Sequence, residues 1–330
     1  MTGLLALAIV PGIIVMSYVY KKDKIEKEPK KLIFKLIILG VLSTIPAIAL
    51  EYLGEWILDL FEADGLLAVL LDNFIVVGLS EEVCKYFFLK KGSWRNKAFN
   101  YRFDAVVYAV SVGMGFAVFE NIFYVIENGA LNGIVRALIS VPGHGAFAIV
   151  MGIFYGQAKL CESTGDKAGM KKNLKKAVWY PVLMHGFFDF CLTVGSVIMV
   201  LVFLAYVIVM DILIIKRIKQ YAAADVRVTL DDMKNVIVTR SIIERTSNVK
   251  WLYRREAEAE RDSGWRVFGD KDTPEYVSLP ENNIVITFAD LLRIEPALMK
   301  IYDMEPGSDL QFYREEEQTY FIDNKTGERF

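Results

Sequence analysis

The 330-residue sequence predicts an all-α polytopic membrane bundle of about seven transmembrane helices, followed by a small soluble α+β domain. Three observations carry that prediction. Hydrophobic residues make up 54% of the chain and the mean hydropathy is +0.33, yet 24% of residues are charged, so apolar and charged residues must be segregated. Charge divides with them: residues 1–219 hold 23 Lys/Arg and 18 Asp/Glu, whereas residues 220–330 hold 15 and 22. The apolar runs of the first part also match the roughly 17–25 residues that a helix needs to cross a bilayer. The two expected domains are therefore 1–219, a transmembrane bundle, and 225–330, an acidic soluble unit. An acidic unit with no basic stripe excludes nucleic acid as a partner.

The spans read in order as residues 3–20, 32–52, 66–89, 104–126, 134–158, 177–194 and 196–215. The last two are separated only by a turn near Gly195. All are expected to be helices, because hydrocarbon cannot satisfy an open backbone. The first has no basic leader and no small-x-small cleavage site, so it reads as a retained span rather than a signal peptide. Connections alternate in charge. Residues 21–31 carry six Lys, 90–102 five Lys/Arg, 159–176 six and 216–219 three, while 53–65, 127–133 and 195 carry none. By the positive-inside rule the N-terminus is outside and residues 220–330 are cytoplasmic. Cys84 and Cys191 lie in spans and Cys161 in a Lys-rich connection, a pattern that implies no disulfide framework.

Beyond residue 225 there is no long apolar run. β-rich stretches at 236–243, 284–288, 310–313 and 319–322, a helical pattern at 289–302, and turn signals at 262–264, 305–307 and 324–327 predict a small α+β fold. Pro274, Pro280, Pro296 and Pro306 rule out one long helix.

Ionisable side chains inside spans cost about 2.5–3.5 kcal/mol each on insertion scales, so they mark function by default. They concentrate in four consecutive spans: Glu81, Glu82 and Lys85; Glu120 beside Asn121; His144; His185 and Asp189. His144 and His185 are the only two histidines of the protein, and each precedes a glycine. Glu81 and Glu82 stand four and three residues before Lys85, the helical spacings at which charges meet. His185 and Asp189 share the four-residue spacing, at which a carboxylate can orient an imidazole. At about 1.5 Å per residue from the basic end, Glu82 and His185 fall roughly 12 Å deep, Asp189 roughly 18 Å, and His144 and Glu120 roughly 21–24 Å. One polar cluster is expected. Asp72 and Asp211 read as interfacial, and Arg136 and Lys35 as side chains that snorkel to the interface.

Adjacent carboxylates and imidazoles in a poorly hydrated pocket suit activation of a water as a hydrolytic nucleophile, with a second imidazole or Asn stabilising the oxyanion. No G-x-S-x-G elbow is present. A zinc site built from two histidines and carboxylates is a second reading, weakened by the absence of H-E-x-x-H. Proton-coupled transport is a third, without the inverted repeats that would support it.

At these residues the chain resembles the PrsW family of bacterial intramembrane proteases, relatives of the glutamate-type CAAX-protease and bacteriocin-processing superfamily. DKIEKEP (23–29), EEVCK (81–85), FDAVVYAVSVGMGFAVFENIFY (103–124), VPGHGAFAIVMGIFYGQAK (141–159) and MHGFFDF (184–190) carry the likeness. Lys27 departs from a loop that usually repeats Glu-Pro. The resemblance implies a peptidase in a bacterial cell membrane. Catalysis would rest on Glu81, Glu82 and His185, and Lys85, Glu120, Asn121, His144 and Asp189 would line the site. No cofactor is expected, with zinc as the alternative. The implied substrate is a membrane-anchored protein, of which an anti-sigma factor cut under envelope stress is the family's example. Residues VIVTRSI (236–242), WLYRREAEAERDSGWRVFGDKDTPEY (251–276) and LLRIEPALMKIYD (291–303) resemble a domain of bacterial toxin–immunity systems, expected to recruit a cytoplasmic protein partner. A non-catalytic membrane-anchored immunity protein is the competing reading.

Overall fold

In the computed structural model, residues 2–229, 233–315 and 318–330 are described. The chain divides into two compact units, Met1–Val228 and Thr229–Phe330.

The first unit is a helix bundle. Helix α1 covers Thr2–Lys22 and α2 Lys30–Leu60. A third rod follows without interruption: α3 (Gly65–Leu71), a π-helical stretch (Asp72–Leu79) and α4 (Ser80–Ser93). Helices α5 (Asp104–Leu138), α6 (Ser140–Ser163), α7 (Lys167–Val194) and α8 (Val197–Ala223) complete it. By length and apolarity alone, five segments qualify as membrane spans, one of them the 60 residues Asp104–Ser163 that hold both α5 and α6. The charged third rod falls outside that count, yet residues 65–93 are long enough to cross. The seven rods match the seven expected spans in order. Ile198, Leu201, Ile208 and Ile212 of α8 face outward, as side chains toward lipid do.

Two differences from the sequence reading concern the middle of the bundle. Residues 127–133, expected as a loop, remain helical apart from Gly129, whose φ of 79° breaks α5. Gly133 packs on Val125 and Arg136 reaches back to Glu120, so the chain reverses at Gly129, a conformation that a residue without Cβ adopts freely. The second break falls at Ile139, five residues before His144.

The basic connections gather at one end. Asn100 Nδ2 donates to Glu26 Oε2 (2.9 Å), Trp94 Nε1 to Glu162 Oε1 (3.1 Å), and the Arg102 N–H to the Val226 carbonyl (2.9 Å). Val228 N–H donates to Asn100 O (2.7 Å), so residues 225–228 stay with the bundle, although the charge pattern begins the second domain at 225.

Close helix crossings depend on small residues, as is usual where lipid supplies no hydrophobic drive to associate. A Cβ on Gly40 of α2 would lie 2.1 Å from the Val112 carbonyl oxygen, and one on Gly115 of α5 2.2 Å from that of Ile37. Gly78 in the π-helical stretch abuts the backbone of Val182 and Gly186 on α7. That contact brings the start of α4 beside His185.

The second unit is a six-stranded sheet in the order β4-β1-β3-β2-β5-β6, formed by β1 (Asn235–Thr239), β2 (Val249–Arg254), β3 (Asp262–Gly269), β4 (Asn283–Thr287), β5 (Asp309–Glu315) and β6 (Gln318–Asp323). β1 and β3 pair in parallel and the other neighbours are antiparallel. Short helices α9 (Arg240–Ile243), α10 (Pro274–Ser278) and α11 (Phe288–Ile294) connect strands. The α+β class stands, with three corrections. Residues 240–243 turn helical rather than extending β1. Residues 262–264, expected as a turn, open β3, with Gly264 at φ 80°. The helical pattern at 289–302 stops at Ile294, where Pro296 cannot supply an N–H, and continues as a 3₁₀ turn. Trp265 is fully buried and its Nε1–H donates to the Tyr302 carbonyl at 3.1 Å.

A candidate active site inside the bundle

Glu81, Glu82 and Lys85 lie on the first two turns of α4, immediately after the π-helical stretch. A π segment shifts the helical phase, and such bulges concentrate at functional sites. Here the three side chains point inward and are 6%, 1% and 3% exposed. Lys85 Nζ is 2.8 Å from Glu81 Oε2 and 2.8 Å from Glu82 Oε1, the i,i+4 and i,i+3 pairs read from the sequence. It also lies 3.2 Å from His144 Nδ1 on α6 and 4.0 Å from the centre of the Phe116 ring on α5.

An ammonium has hydrogens to give and no lone pair, so His144 Nδ1 accepts from it and the ring carries its hydrogen on Nε2. That nitrogen faces Glu120 Oε2 at 3.0 Å, and Arg136 holds the other Glu120 oxygen at 2.7 Å. Arg136 therefore does not snorkel: the reversal at Gly129 turns it toward Glu120.

His185 on α7 closes the other side. Its Nδ1 is 3.0 Å from Glu82 Oε1 and 3.8 Å from Glu81 Oε2, and its Nε2 is 3.0 Å from Asp189 Oδ2. The Phe147 ring stacks on it with centroids 5.0 Å apart, and the two imidazoles lie 5.0 Å apart, edge to face. Four helices thus contribute to one buried cluster.

Seven of the eight residues singled out in the sequence meet there. Asn121 does not. Its amide bonds the Ala8 carbonyl and Arg136, so it fastens α1 to α5 behind the site. The sequence reading also passed over Glu51 on α2, a half-buried acid within the second expected span. Its position at the end of an apolar run resembled that of an ordinary interfacial acid.

Inward-facing oxygens of Glu81 and Glu82 and nitrogens of His144 and His185 lie within 4.8 Å of one another, a spacing that one metal ion can span. The donor types suit zinc. Each imidazole also turns its outer nitrogen to a carboxylate, Glu120 or Asp189, the arrangement that orients histidine ligands of metals. The residues fit such an ion, and Lys85 Nζ stands as the cation among three of the four donors.

The family model described as "PrsW family intramembrane metalloprotease" matches residues 28–215, more than half of the chain. The chain belongs to the PrsW family. Among curated relatives named "Protease PrsW", the Oceanobacillus iheyensis protein is 34% identical over 67% of this chain and 96% of its own length. The Bacillus subtilis protein is 33% identical over 59% of this chain and 85% of its own, and the Clostridioides difficile protein 32% identical over 66% and 91%. Residues 236–323 match the model of the Immunity protein Imm33 domain. No solved structure matches the chain at a significant level. PrsW membership makes the protein a membrane-embedded peptidase whose substrate is a membrane protein. Within the PrsW part fall all the residues of the buried cluster.

Proposed function

We propose that Glu81, Glu82 and His185 hydrolyse peptide bonds of a membrane-anchored protein by activating water with a glutamate, and that His144, Lys85, Glu120 and Asp189 position them. The observation that carries this reading is the convergence of two buried carboxylates and both histidines on one point inside the bundle. A water lodged against Glu82 and His185 loses a proton to the carboxylate as its oxygen attacks the scissile carbonyl carbon. The negative charge that develops on the carbonyl oxygen is stabilised by the Lys85 ammonium, the positive charge held among the carboxylates. The C–N bond then breaks, and the proton taken from water passes to the departing amine nitrogen. His185, held between Glu82 and Asp189, can relay it. A metal held by Glu81, Glu82, His144 and His185 would supply Lewis-acid polarisation and a more acidic bound water.

By analogy with the family's role, we assign a membrane-anchored anti-sigma factor as the substrate class. The charge of the connections supports an outside N-terminus and a cytoplasmic second unit, which would recruit a cytoplasmic protein partner. Comparative membrane proteomics of wild type against Glu82→Gln tests the proposal. One membrane protein should lose a truncated form in the variant, and an identical set of fragments refutes the assignment. Chelation of the purified protein then separates the two sources of nucleophile. A loss of activity that zinc restores assigns the water to a metal, and unchanged activity assigns it to the carboxylates alone.

A further inference from the structure

Away from the intramembrane site, three carboxylates meet at the end of the bundle that carries the basic connections. Asp23 and Glu28 come from the segment between α1 and α2, and Asp104 opens α5. They are 2%, 3% and 1% exposed. Each offers one oxygen such that the three lie within 4.8 Å of one another. Neighbouring donors satisfy only part of this charge. Asp104 Oδ2 accepts from the Asn100 N–H (3.0 Å) and the Tyr101 N–H (2.7 Å), and the Tyr108 hydroxyl donates to Glu28 Oε2. Among the described residues no donor reaches the buried Asp104 Oδ1 or Asp23 Oδ2, and the Asp104 and Glu28 carboxyls lie in contact with each other. The Lys27 ammonium donates to the backbone carbonyls of Tyr20 and Asp23 instead of to a carboxylate. Among the described residues, no ion pair reaches any of the three acids.

We propose that Asp23, Glu28 and Asp104 form a second cation site, for a hard divalent ion with calcium as the best match. A buried carboxylate either takes up a proton or is held charged by a cation. Burial raises the pKa of Asp23 and Glu28, and among the described residues no cation pairs with any of the three acids, so a divalent ion is what would keep them ionised together. The donor set is all oxygen, which selects calcium or magnesium over zinc. Calcium accepts about six to eight oxygens in flexible geometry, whereas magnesium demands a near-ideal octahedron and keeps several waters, which favours calcium in a buried cluster of carboxylates. Such an ion would clip the connection between α1 and α2 onto the start of α5.

The full-length protein in detergent, stripped with a chelator and then given calcium or magnesium, tests this. Calcium should raise the unfolding temperature by a few degrees, and radioactive calcium should bind at one ion per chain. Glu28→Gln, which keeps an acceptor for Tyr108, should weaken that binding at least tenfold, and Asp23→Asn provides a second variant should the first fail to fold. A larger shift with magnesium keeps the site and overturns the preference for calcium. Absence of binding by either ion, or binding unchanged in both variants, overturns the site. A stoichiometry that falls in Glu82→Gln instead relocates the ion to the intramembrane cluster and equally refutes the proposal.

Discussion

Lys85 sits where two carboxylates and an imidazole converge, and this makes it the most informative single position. Lys85→Met leaves Glu81 and Glu82 buried without their ammonium, and stranding one side of a buried pair costs about 3–5 kcal/mol. A thermal melt in detergent should record that loss. The same variant frees the donors of His144 and the two glutamates, so its zinc content after dialysis against the metal should exceed that of wild type. Glu82→Gln and His185→Ala should lower cleavage of a co-expressed substrate by at least about a thousandfold with unchanged membrane insertion, the scale seen when a unit of catalytic groups loses one member. Arg136→Ala should act more mildly. It releases Glu120 and thereby the orientation of His144, and losses of about 10–100-fold are typical of such supporting residues. At this scale much was legible, because an acid or imidazole in an apolar run stands out. What was not legible is direction. Asn121 and Arg136 carry the same signal as their neighbours, and only the reversal at Gly129 decides that one braces α1 and the other clamps Glu120.

Elements differ in how openly the sequence announces them. The crossing of α2 and α5 at Gly40 and Gly115 allows no added methyl, so Gly40→Ala should lower the yield of folded protein in the membrane. Detergent-resistant monomer on a sizing column measures that yield. In the second unit, Asp262 accepts both arms of Arg266, at 3.0 and 2.9 Å, and this fork holds its carboxyl well below the ordinary value of 3.8. A depressed folded-state pKa adds stability above that ordinary value and loses it as the pH falls below it. Asp262→Asn should therefore destabilise the β3 region by about 2 kcal/mol at neutral pH, and the gap from wild type should close as the solution is acidified below about pH 4. Hydrogen exchange of the amides at 262–269 reads the difference directly. Apolar helices were evident from length alone. Strands β2 and β3 were not, because Val249–Arg254 and Asp262–Gly269 mix charges with aromatics and their pairing is set by partners distant in sequence. The π-helical stretch leaves no compositional trace, since it is a change of phase within one apolar run.

For the whole molecule the order of rods, the basic end and the two-part division could be read directly, because bilayer thickness and loop charge act on long stretches rather than single positions. The function of the second unit was not readable in the same way. Protease added to inside-out vesicles should digest residues 229–330, and the same protease added to intact spheroplasts should spare them. The reverse pattern overturns the proposed orientation. If catalysis resides wholly in the bundle, a chain ending after Val228 should still cut its substrate. Loss of cutting by that shorter chain would make the second unit part of the machinery.

Both imidazoles give their outer nitrogens to Glu120 and Asp189 and turn their inner nitrogens toward Lys85 and Glu82. Among the described residues, neither ring hydrogen-bonds a hydroxyl or a thiol. Pharmacologically, fluorophosphonates and iodoacetamide tag a serine or cysteine activated by an imidazole, a pairing that neither histidine makes among the described residues. Small molecules that imitate a hydrated carbonyl, such as phosphinates or secondary alcohols, are the scaffolds whose shape and charge this site would retain.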